Sequence, residues 1–451
     1  MIRHIIKLSE AKGGRYDPHQ FRQERVDTIR KIVATSNYCK LKDVVSNVKQ
    51  IVTELSPMDI YIGLENIESN TGDYIPTKEK ETISSAAIFN KGDILFPKLR
   101  PYLNKVYRAE FAGKCSTEFH VFQAKNIHPD FLVIILRSNL ILNQTKYLMT
   151  GNTLPRLQTS DVENLIIPLP CHEIQQQIVD LYNAAIKEKQ TKEQEANKLL
   201  ASIDDYLLKE LGIELPENIE NKRYFEVNVL DLIGGRLDAP FLNDRFISLT
   251  NSIKSIPHKP LYRLAIFTSE SWNQNDYFMD TFPYIEINAI NIQYGSISEI
   301  SNVEINNAPS RAKKIVRNND IIISTTRPNR GAISLVQITN DVTIASTGFT
   351  VIRNIHDDIL REYLFIILRH RISLLQMEQR SSGGNYPAIT ENELKKILIP
   401  LPPIKKQKEI FIHFQSITEK AKLMQKEARE GLEKTKHEIE ERVEGKNNNR
   451  Y

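Results

Sequence analysis

The tract that decides the fold occurs twice, as TLPRLQTSDVENLIIPLPCHEIQQQI at residues 153–178 and as NYPAITENELKKILIPLPPIKKQKEI at residues 385–410. The two copies are separated by about half the chain. Repeats of roughly 20 to 50 residues form solenoids, whereas a period this long indicates two copies of a whole domain with its appendage. We therefore expect one chain with two similar halves.

Shorter motifs recur in the same order in both halves. GGRYD at residues 13–17 corresponds to GGRLD at 234–238, and KGDIL at 91–95 corresponds to NNDII at 318–322. Short apolar runs punctuated by Gly, Asn, Asp and Pro predict strands at 59–63, 93–96, 121–122, 284–288, 321–324 and 348–352. Helices are predicted at 128–139 and 358–371. This mixture predicts a compact α/β (α+β) globule of roughly 160 residues in each half.

Each globule leads through a PLP sequence into a long stretch without proline. Pro170 and Pro403 fit a helix start, because the missing N–H of proline costs nothing there. Gly212 and Gly445 fit C-terminal caps. The two predicted helices, each of about 41 residues and roughly 60 Å long, cover residues 171–211 and 403–443. The predicted domains are thus a globule at 1–168, a spacer helix at 169–212, a second globule at 213–400, and a second helix with a tail at 401–451.

Apolar and small residues on the second helix recur at spacings of three and four, which is typical of a heptad seam. They are Phe414, Ile417, Ala421, Met424, Ala428, Gly431 and Thr435. On the first helix, apolar residues lie near both ends, at Ile174, Ile178, Leu181 and Ala185 and then at Ala196, Leu199, Ile203 and Tyr206. Matched lengths and small residues predict an intramolecular antiparallel coiled coil that separates two globules. The alternative is that each helix packs on its own globule.

Composition narrows the class of protein. The chain has 451 residues, with 60 Lys plus Arg against 56 Asp plus Glu, so any nucleic-acid surface must be local. No apolar run approaches the roughly 18 residues of a membrane helix, and the N-terminus lacks the pattern of a signal peptide. Cys39, Cys115 and Cys171 form no CxxC pair, which predicts a reducing, cytoplasmic setting and no structural zinc.

Motifs of catalysis are missing from the sequence. It contains neither a GxxxxGK[ST] phosphate loop nor a GxGxxG dinucleotide motif. It also has no tetrapeptide typical of amino-methyltransferases and no histidine pair with metal-ligand spacing. Glu393 begins an ELK sequence similar to a nuclease ExK element, but the counterparts Asp161 and Glu163 are not accompanied by a lysine. We predict no catalytic and no metal-binding residue, and a stand-alone nuclease stays open as the alternative.

Basic and amide-bearing loops lie at matching places in the two halves. Arginine suits guanine edges, asparagine suits adenine, and lysine suits phosphates. The loop contents differ, as in KLRPYLNK against TTRPNRGA, although the framework repeats. This contrast predicts a module that reads two different short sequences; a solvated surface loop is the alternative for each residue. The predicted DNA-binding residues are Lys98, Arg100, Asn104, Lys105, Asn152, Arg156, Arg327, Asn329, Arg330, Asn385 and Tyr386.

The chain resembles the specificity (S) subunits of type I restriction-modification systems in its GGR(Y/L)D starts, its GDILF sequence, its LIIPLP and ILIPLPP tracts, and Gln175 and Gln407. The resemblance implies two target-recognition domains, two conserved spacer helices and no catalysis by this chain. It implies a phage-defence complex that recognises a bipartite site in double-stranded DNA. Two methyltransferase (M) subunits would bring S-adenosylmethionine for adenine-N6 methylation, and restriction (R) subunits would bring ATP- and Mg-dependent cleavage. No cofactor is expected on this chain.

One position departs from the pattern of these subunits. The family usually has a glutamate before each conserved glutamine, whereas Ile174 and Lys406 stand there in this chain. Two alternatives therefore stay open beside the resemblance. One is a divergent S-like subunit of another methylation-linked defence system, and the other is a protein-binding scaffold without DNA specificity.

Overall fold

The computed structural model describes residues 21–35, 37–53, 56, 59–76, 85–151, 153–215, 241–276, 280–339 and 342–445. The GGRYD and GGRLD motifs lie outside the described residues. The chain divides into two compact units: unit 1 is Met1–Glu193 with Gln425–Tyr451, and unit 2 is Gln194–Met424. Each unit contains one globule and one end of each long helix.

Two four-stranded sheets form the globule of unit 1. The first sheet is antiparallel and has the order β2 (Val45–Val48), β9 (Phe119–Ala124), β6 (Ile94–Pro97) and β7 (Tyr107–Arg108). The second has the order β3 (Ile51–Val52), β5 (Ala86–Phe89), β8 (Gly113–Ser116) and β4 (Tyr61–Ile62), with β4 and β8 parallel. A separate antiparallel pair consists of β1 (Tyr38–Lys40) and β10 (Ile166–Pro168).

Unit 2 repeats this plan. Its first sheet is antiparallel, with the order β12 (Ala265–Thr268), β21 (Phe349–Ile355), β18 (Ile321–Ser324) and β19 (Ile333–Leu335). Its second sheet has the order β16 (Ser301–Glu304), β13 (Thr281–Ile285), β20 (Thr343–Ser346) and β17 (Ala312–Val316), with β13 and β20 parallel. Two-stranded pairs are β11 (His258–Pro260) with β22 (Leu398–Pro400), and β14 (Ile290–Asn291) with β15 (Ser296–Ile297).

The sheets of the two units correspond strand by strand except at one edge. In the first sheet β2, β9, β6 and β7 match β12, β21, β18 and β19 in order. In the second, the outer strand β3 pairs with β5, whereas the outer strand β16 pairs with β13 at the opposite edge. β6 and β18 are buried along their whole length, as their apolar runs indicate. All six predicted strands are confirmed; β18 has the predicted ends, and the ends of the other five are shifted.

Short helices surround the sheets. Unit 1 has α1 (Gln23–Ala34), α2 (Leu41–Val44), α3 (Pro129–Leu136), α4 (Asn139–Thr145) and α5 (Thr159–Glu163); unit 2 has α7 (Asp244–Lys254), α8 (Arg361–Arg369), α9 (Arg371–Arg380) and α10 (Glu391–Leu394). The helix predicted at residues 358–371 ends early because His370 has an extended backbone and caps α9 by accepting the N–H of Ile372. The helix predicted at 128–139 likewise ends at Leu136.

The long helices are α6 (His172–Leu211) and α11 (Ile404–Val443), each of 40 residues. Both start within one residue of the predicted position, after the PLP sequences. Gly212 and Gly445 follow them with φ of 66° and 77°, the left-handed conformation of a C-terminal cap. Within the described ranges, no helix is both long and apolar enough to cross a membrane.

The long helices pair in antiparallel fashion in each unit, as predicted. In unit 2, Glu210 forms an ion pair with Lys406, and the rings of Tyr206 and His413 lie 3.8 Å apart between centroids. In unit 1, Lys192 Nζ lies 3.6 Å from Glu427 Oε2. The core of unit 1 also combines α6 residues with α11 residues, among them Ile178, Tyr182, Leu432 and Ile439. Each helix therefore packs on a globule as well as on the other helix.

The predicted seam of α11 is partly wrong. Ala421 and Ala428 are buried, but Gly431 is exposed, and a Cβ added there would meet no atom within 4 Å. Leu432 is buried in its place within the core of unit 1. Gly431 therefore does not serve the close helix approach that its size suggested. Leu181, Ala185, Leu199, Phe414, Ile417 and Met424 are half-buried, and Ile178 and Ile203 are buried.

Candidate nucleic-acid interface

Two loops in each unit carry the residues predicted to contact DNA. The arginine loop follows the central strand β6 or β18 and covers residues 98–105 in unit 1 and 325–332 in unit 2. The proline loop precedes the PLP sequence and covers residues 150–156 and 382–388. Asn152 of the first proline loop lies outside the described residues.

Arg100 and Arg327 have the same unusual backbone conformation. Both have φ of 47° and ψ of 52°, and each precedes a proline that begins a short 3₁₀ turn. This left-handed conformation costs a bulky residue roughly 1 to 3 kcal/mol and persists only where the surroundings enforce it. The proline loop does so here: Pro155 O accepts the N–H of Arg100 at 2.9 Å, and Pro387 O accepts that of Arg327 at 2.7 Å.

Bridges between backbones hold the two loops together. In unit 1 Leu99 pairs with Arg156, and in unit 2 Thr326 pairs with Ala388 at the equivalent place. The structure therefore brings each pair of predicted loops onto one surface, although they are distant in sequence. The backbone of this surface is the same in both units, whereas the side chains that it presents differ.

Most of the predicted residues of unit 1 that the structure describes bond to other segments of the same unit. Lys98 Nζ donates to Thr117 O at 2.7 Å, and Lys105 Nζ donates to Leu64 O at 2.8 Å. Burial lowers the pKa of the Lys98 ammonium. Arg100, by contrast, is exposed.

Asn104 does not suit the base contact predicted for it. Only 4% of the residue is exposed, and its amide donates to Arg137 O at 2.8 Å and to Asn70 Oδ1 at 3.2 Å. A buried amide that fixes two neighbouring segments cannot reach the edge of a duplex. Asn104 instead ends the short turn of the arginine loop in the left-handed conformation, with φ of 53°.

Arg156 is partly neutralised in its proline loop. Its Nε and Nη2 donate to the two carboxylate oxygens of Glu118 at 3.0 Å and 2.9 Å, a bidentate geometry. The hydrogen bond to Glu118 raises the pKa of the guanidinium. A DNA contact through Arg156 would have to compete with this carboxylate.

Unit 2 presents its predicted residues more openly. The Arg327 guanidinium lies over the ring of Tyr386, with Cζ 4.3 Å from the ring centroid, and Nη2 donates to Asn385 O at 2.8 Å. Tyr386 is 71% exposed, and Asn329 and Arg330 are also exposed. Cation–π stacking and the hydrogen bond hold the guanidinium in one orientation at the surface.

A cleft of about 500 Å³ adjoins these loops in unit 2. Its lining includes Arg327, Arg330 and Tyr386 together with residues that sequence reasoning missed, namely Glu286, Asn288 and Arg311. Residues 61–67, YIGLENI, correspond to residues 284–290, YIEINAI, and the available signal was that Glu286 and Asn288 stand there in place of Gly63 and Glu65. Arg311 lies in no repeated motif. The lining can donate hydrogen bonds, accept them and stack on a flat group.

The ELK sequence has the geometry of surface ion pairs. Glu393 accepts from Arg380 Nη1 at 2.9 Å and from Lys396 Nζ at 2.6 Å, whereas Lys395 pairs with Glu391 at 2.7 Å. Lys395, the lysine of the ELK sequence, thus faces a carboxylate other than Glu393. Across the part of the chain that the structure describes, no group of three or more His, Cys, Asp or Glu side chains is arranged to hold a metal ion.

Comparison with known proteins gives both halves the same assignment. The family model described as "Type I restriction modification DNA specificity domain" matches residues 39–201 and 261–434. One solved structure, described as concerning complex assembly and conformational transition of the type I R-M system, contains a chain with TM-score 0.52 and 18% identity. The match covers 91% of this chain and 97% of that chain, and it supports the fold.

Two curated relatives are similar over part of their length. The specificity subunit of the type I restriction enzyme EcoDI of Escherichia coli is 27% identical over 41% of this chain and 42% of its own length. That of HindI of Haemophilus influenzae is 30% identical over 28% of this chain and 27% of its own length. The chain thus spans less than half of the curated relatives that it matches. Because the family model covers most of both halves, the chain belongs to the family of type I restriction modification DNA specificity domains.

Proposed function

We propose that this chain is the DNA-specificity subunit of a type I restriction-modification complex and that each unit binds one half of a bipartite site in double-stranded DNA. The chain selects the sequence and performs no catalysis itself. In this proposal the arginine loop and the proline loop of each unit form the surface that meets the duplex. The complex acts in the cytoplasm.

The supporting observation is the pair Arg100 and Arg327. Both keep an unfavourable backbone conformation at equivalent places, and both loops around them differ in side chains. Strain that two proline loops enforce at equivalent places of a repeated fold is typical of a functional position. Two loops with the same backbone conformation and different side chains are suited to two different half-sites.

Partner subunits supply the chemistry in this proposal. Two methyltransferase subunits bind S-adenosylmethionine and methylate adenine, and restriction subunits bring ATP, Mg²⁺ and cleavage. The two residues that stand before the conserved glutamines, in place of the usual glutamate, both make contacts within this chain. Ile174 packs against the core of unit 1, and Lys406 forms an ion pair with Glu210. Docking of partners then depends on other exposed positions of the helices.

Selection of duplexes from a random library by the full chain tests the proposal. We expect enrichment of a motif with two defined parts, and we expect affinity to fall steeply with salt, because contacts to phosphates release counterions. The Arg263→Ala variant is a matched control, since Arg263 is an exposed arginine of unit 2 outside the cleft. It should select the same motif.

Other outcomes separate the alternatives. Binding that is independent of DNA sequence and of salt would contradict the proposal and favour a protein-binding scaffold. Metal-dependent cleavage of DNA by the purified chain, lost in Glu393→Ala, would favour a nuclease. A two-part motif that is bound but never methylated with type I M subunits would favour another defence system.

A further inference from the structure

The cleft of unit 2 is open because a small residue replaces a long one. Lys105 of unit 1 and Ala332 of unit 2 occupy equivalent positions, eight residues after β6 and β18 end. The Lys105 side chain extends to Leu64 O, to which Nζ donates at 2.8 Å. Ala332 has no such side chain and lines the cleft instead. The space beside the arginine loop is therefore filled by a lysine side chain in unit 1 and is accessible in unit 2.

A second substitution removes an ion pair beside the loops. Arg156 and Glu118 bind each other in unit 1, and their equivalents in unit 2 are Ala388 and Gly348. Backbone contacts confirm the equivalence, because Lys98 N–H donates to Glu118 O at 2.7 Å and Thr325 N–H donates to Gly348 O at 2.8 Å. Unit 2 thus lacks the Glu118 carboxylate that binds an arginine beside these loops in unit 1.

The lining of the cleft combines arginine side chains, which donate hydrogen bonds, with a carboxylate, which accepts them. Arg327 offers a guanidinium that is already oriented by Tyr386, and only one of its N–H groups bonds to a residue that the structure describes. Glu286 contributes an exposed carboxylate to the same cleft. A site for phosphate alone would gain nothing from a carboxylate, since like charges repel. Arg311 and Arg330, which carry the opposite charge to Glu286, line the same cleft.

This combination matches the major-groove edge of one base pair. Guanine presents two acceptors, O6 and N7, that suit an arginine, and its partner cytosine presents an amino group that suits a glutamate. An A·T pair presents the adenine amino group near the arginine and no amino group on thymine. Arg327 would then keep only the N7 acceptor of adenine, and Glu286 would face thymine O4 instead of a donor, which disfavours the wrong pair.

We propose that the cleft of unit 2 selects a G·C pair in the half-site bound by that unit, with Arg327 contacting guanine and Glu286 accepting from the cytosine amino group. The inference rests on the proposed function and adds the base pair and the residues that read it. In unit 1, Gly63 stands at the place of Glu286, and the Glu65 carboxylate lies where the Cβ of a larger residue 63 would be.

Selected duplexes and base analogues test the inference with the full chain. Wild type should enrich a motif with a required G·C pair in one half. Arg327→Ala should reduce the preference for G·C over A·T at that position by about 5- to 150-fold, the effect of losing a bidentate contact. Glu286→Ala should reduce the same preference by a smaller factor, because one accepted hydrogen bond is lost. The other half of the motif should stay the same. Arg263→Ala should leave both halves unchanged.

An analogue tests the same contact without altering the protein. Replacing the required guanine by 7-deazaguanine removes N7, so wild type should bind the altered duplex more weakly, whereas Arg327→Ala should bind both duplexes equally. The inference is overturned if both variants select the wild-type motif, or if they lose affinity equally for every sequence, as phosphate contacts would. Enrichment of no motif by wild type would instead contradict the proposed function itself.

Discussion

Gln175 and Gln407 make equivalent hydrogen bonds at the start of the two long helices. Gln175 Oε1 accepts the N–H of His128 and its Nε2 donates to Pro170 O, both at 2.8 Å. Gln407 Oε1 accepts the N–H of Leu360 at 2.8 Å and its Nε2 donates to Pro402 O at 2.9 Å. Both glutamines are buried. Each one therefore fixes its long helix to the first turn of a helix in the globule.

Removing either amide should destabilise one unit. Gln175→Ala leaves the His128 N–H and Pro170 O without a partner inside the protein, and an unsatisfied buried group costs roughly 1 to 3 kcal/mol. We expect a loss of about 2 to 3 kcal/mol in the free energy of unfolding, measured with urea.

Amide exchange localises this effect. The His128 amide should exchange faster in Gln175→Ala and not in Gln407→Ala, and the Leu360 amide should show the reverse. Gln175→Glu is the conservative control, because it keeps an acceptor for His128. Unchanged exchange at both amides would mean that the glutamines do not hold the helices to the globules.

Because Arg100 has a left-handed backbone conformation, glycine at this position should favour stability, whereas loss of the guanidinium should weaken DNA binding. Glycine adopts this conformation without strain, so Arg100→Gly should raise the free energy of unfolding by about 1 kcal/mol relative to Arg100→Ala. Both variants lack the guanidinium and should bind one half-site equally poorly. Urea denaturation and duplex binding check the two parts. Equal stability of the two variants would show that position 100 is not strained.

Burial of His120 predicts that stability depends on pH. Burial, reinforced by Lys98 and Lys49, lowers the pKa of this imidazole to about 3. An unfolded histidine has a pKa near about 6.5, so the unfolded state binds the proton first as pH falls. Stability is then fully present above about pH 6.5 and decreases below it, by on the order of 2 kcal/mol at pH 5.

Replacing His120 by its equivalent in unit 2 isolates this contribution. Thr350 is paired with β18 as His120 is paired with β6. His120→Thr should therefore lose less stability than wild type between pH 7.5 and pH 5 in urea titrations. Parallel losses in the two proteins would contradict the lowered pKa.

Local signals in the sequence predicted much of the fold. The PLP sequences and Gly212 and Gly445 predicted both long helices to within one residue, because proline and glycine act on the backbone of their own turn. Gly431 was wrongly predicted to lie in the seam of α11, because residues spaced three and four apart are compatible with two neighbouring heptad registers. Packing of Leu432 into unit 1 chooses between them. That choice depends on residues far away in sequence.

The candidate site was less accessible to prediction. Matching positions in the repeat identified Arg100 and Arg327, but nothing in their sequence indicated a positive φ. Asn104 was chosen for its amide, and its burial depends on contacts with Asn70 and Arg137. Arg311 reaches the cleft only through the pairing of β17 with β20. Side chains that meet through tertiary contacts leave no local pattern.

Mapping of methylated adenines tests most directly whether each unit reads one half of a split site. The full chain is assembled with its methyltransferase subunits as wild type, Arg100→Ala and Arg327→Ala, and the modified motifs are compared. We expect each variant to relax a different half of the motif, by about 1 to 3 kcal/mol if the arginines contact bases. Relaxation of the same half by both variants, or an equal loss at every position, would contradict the account.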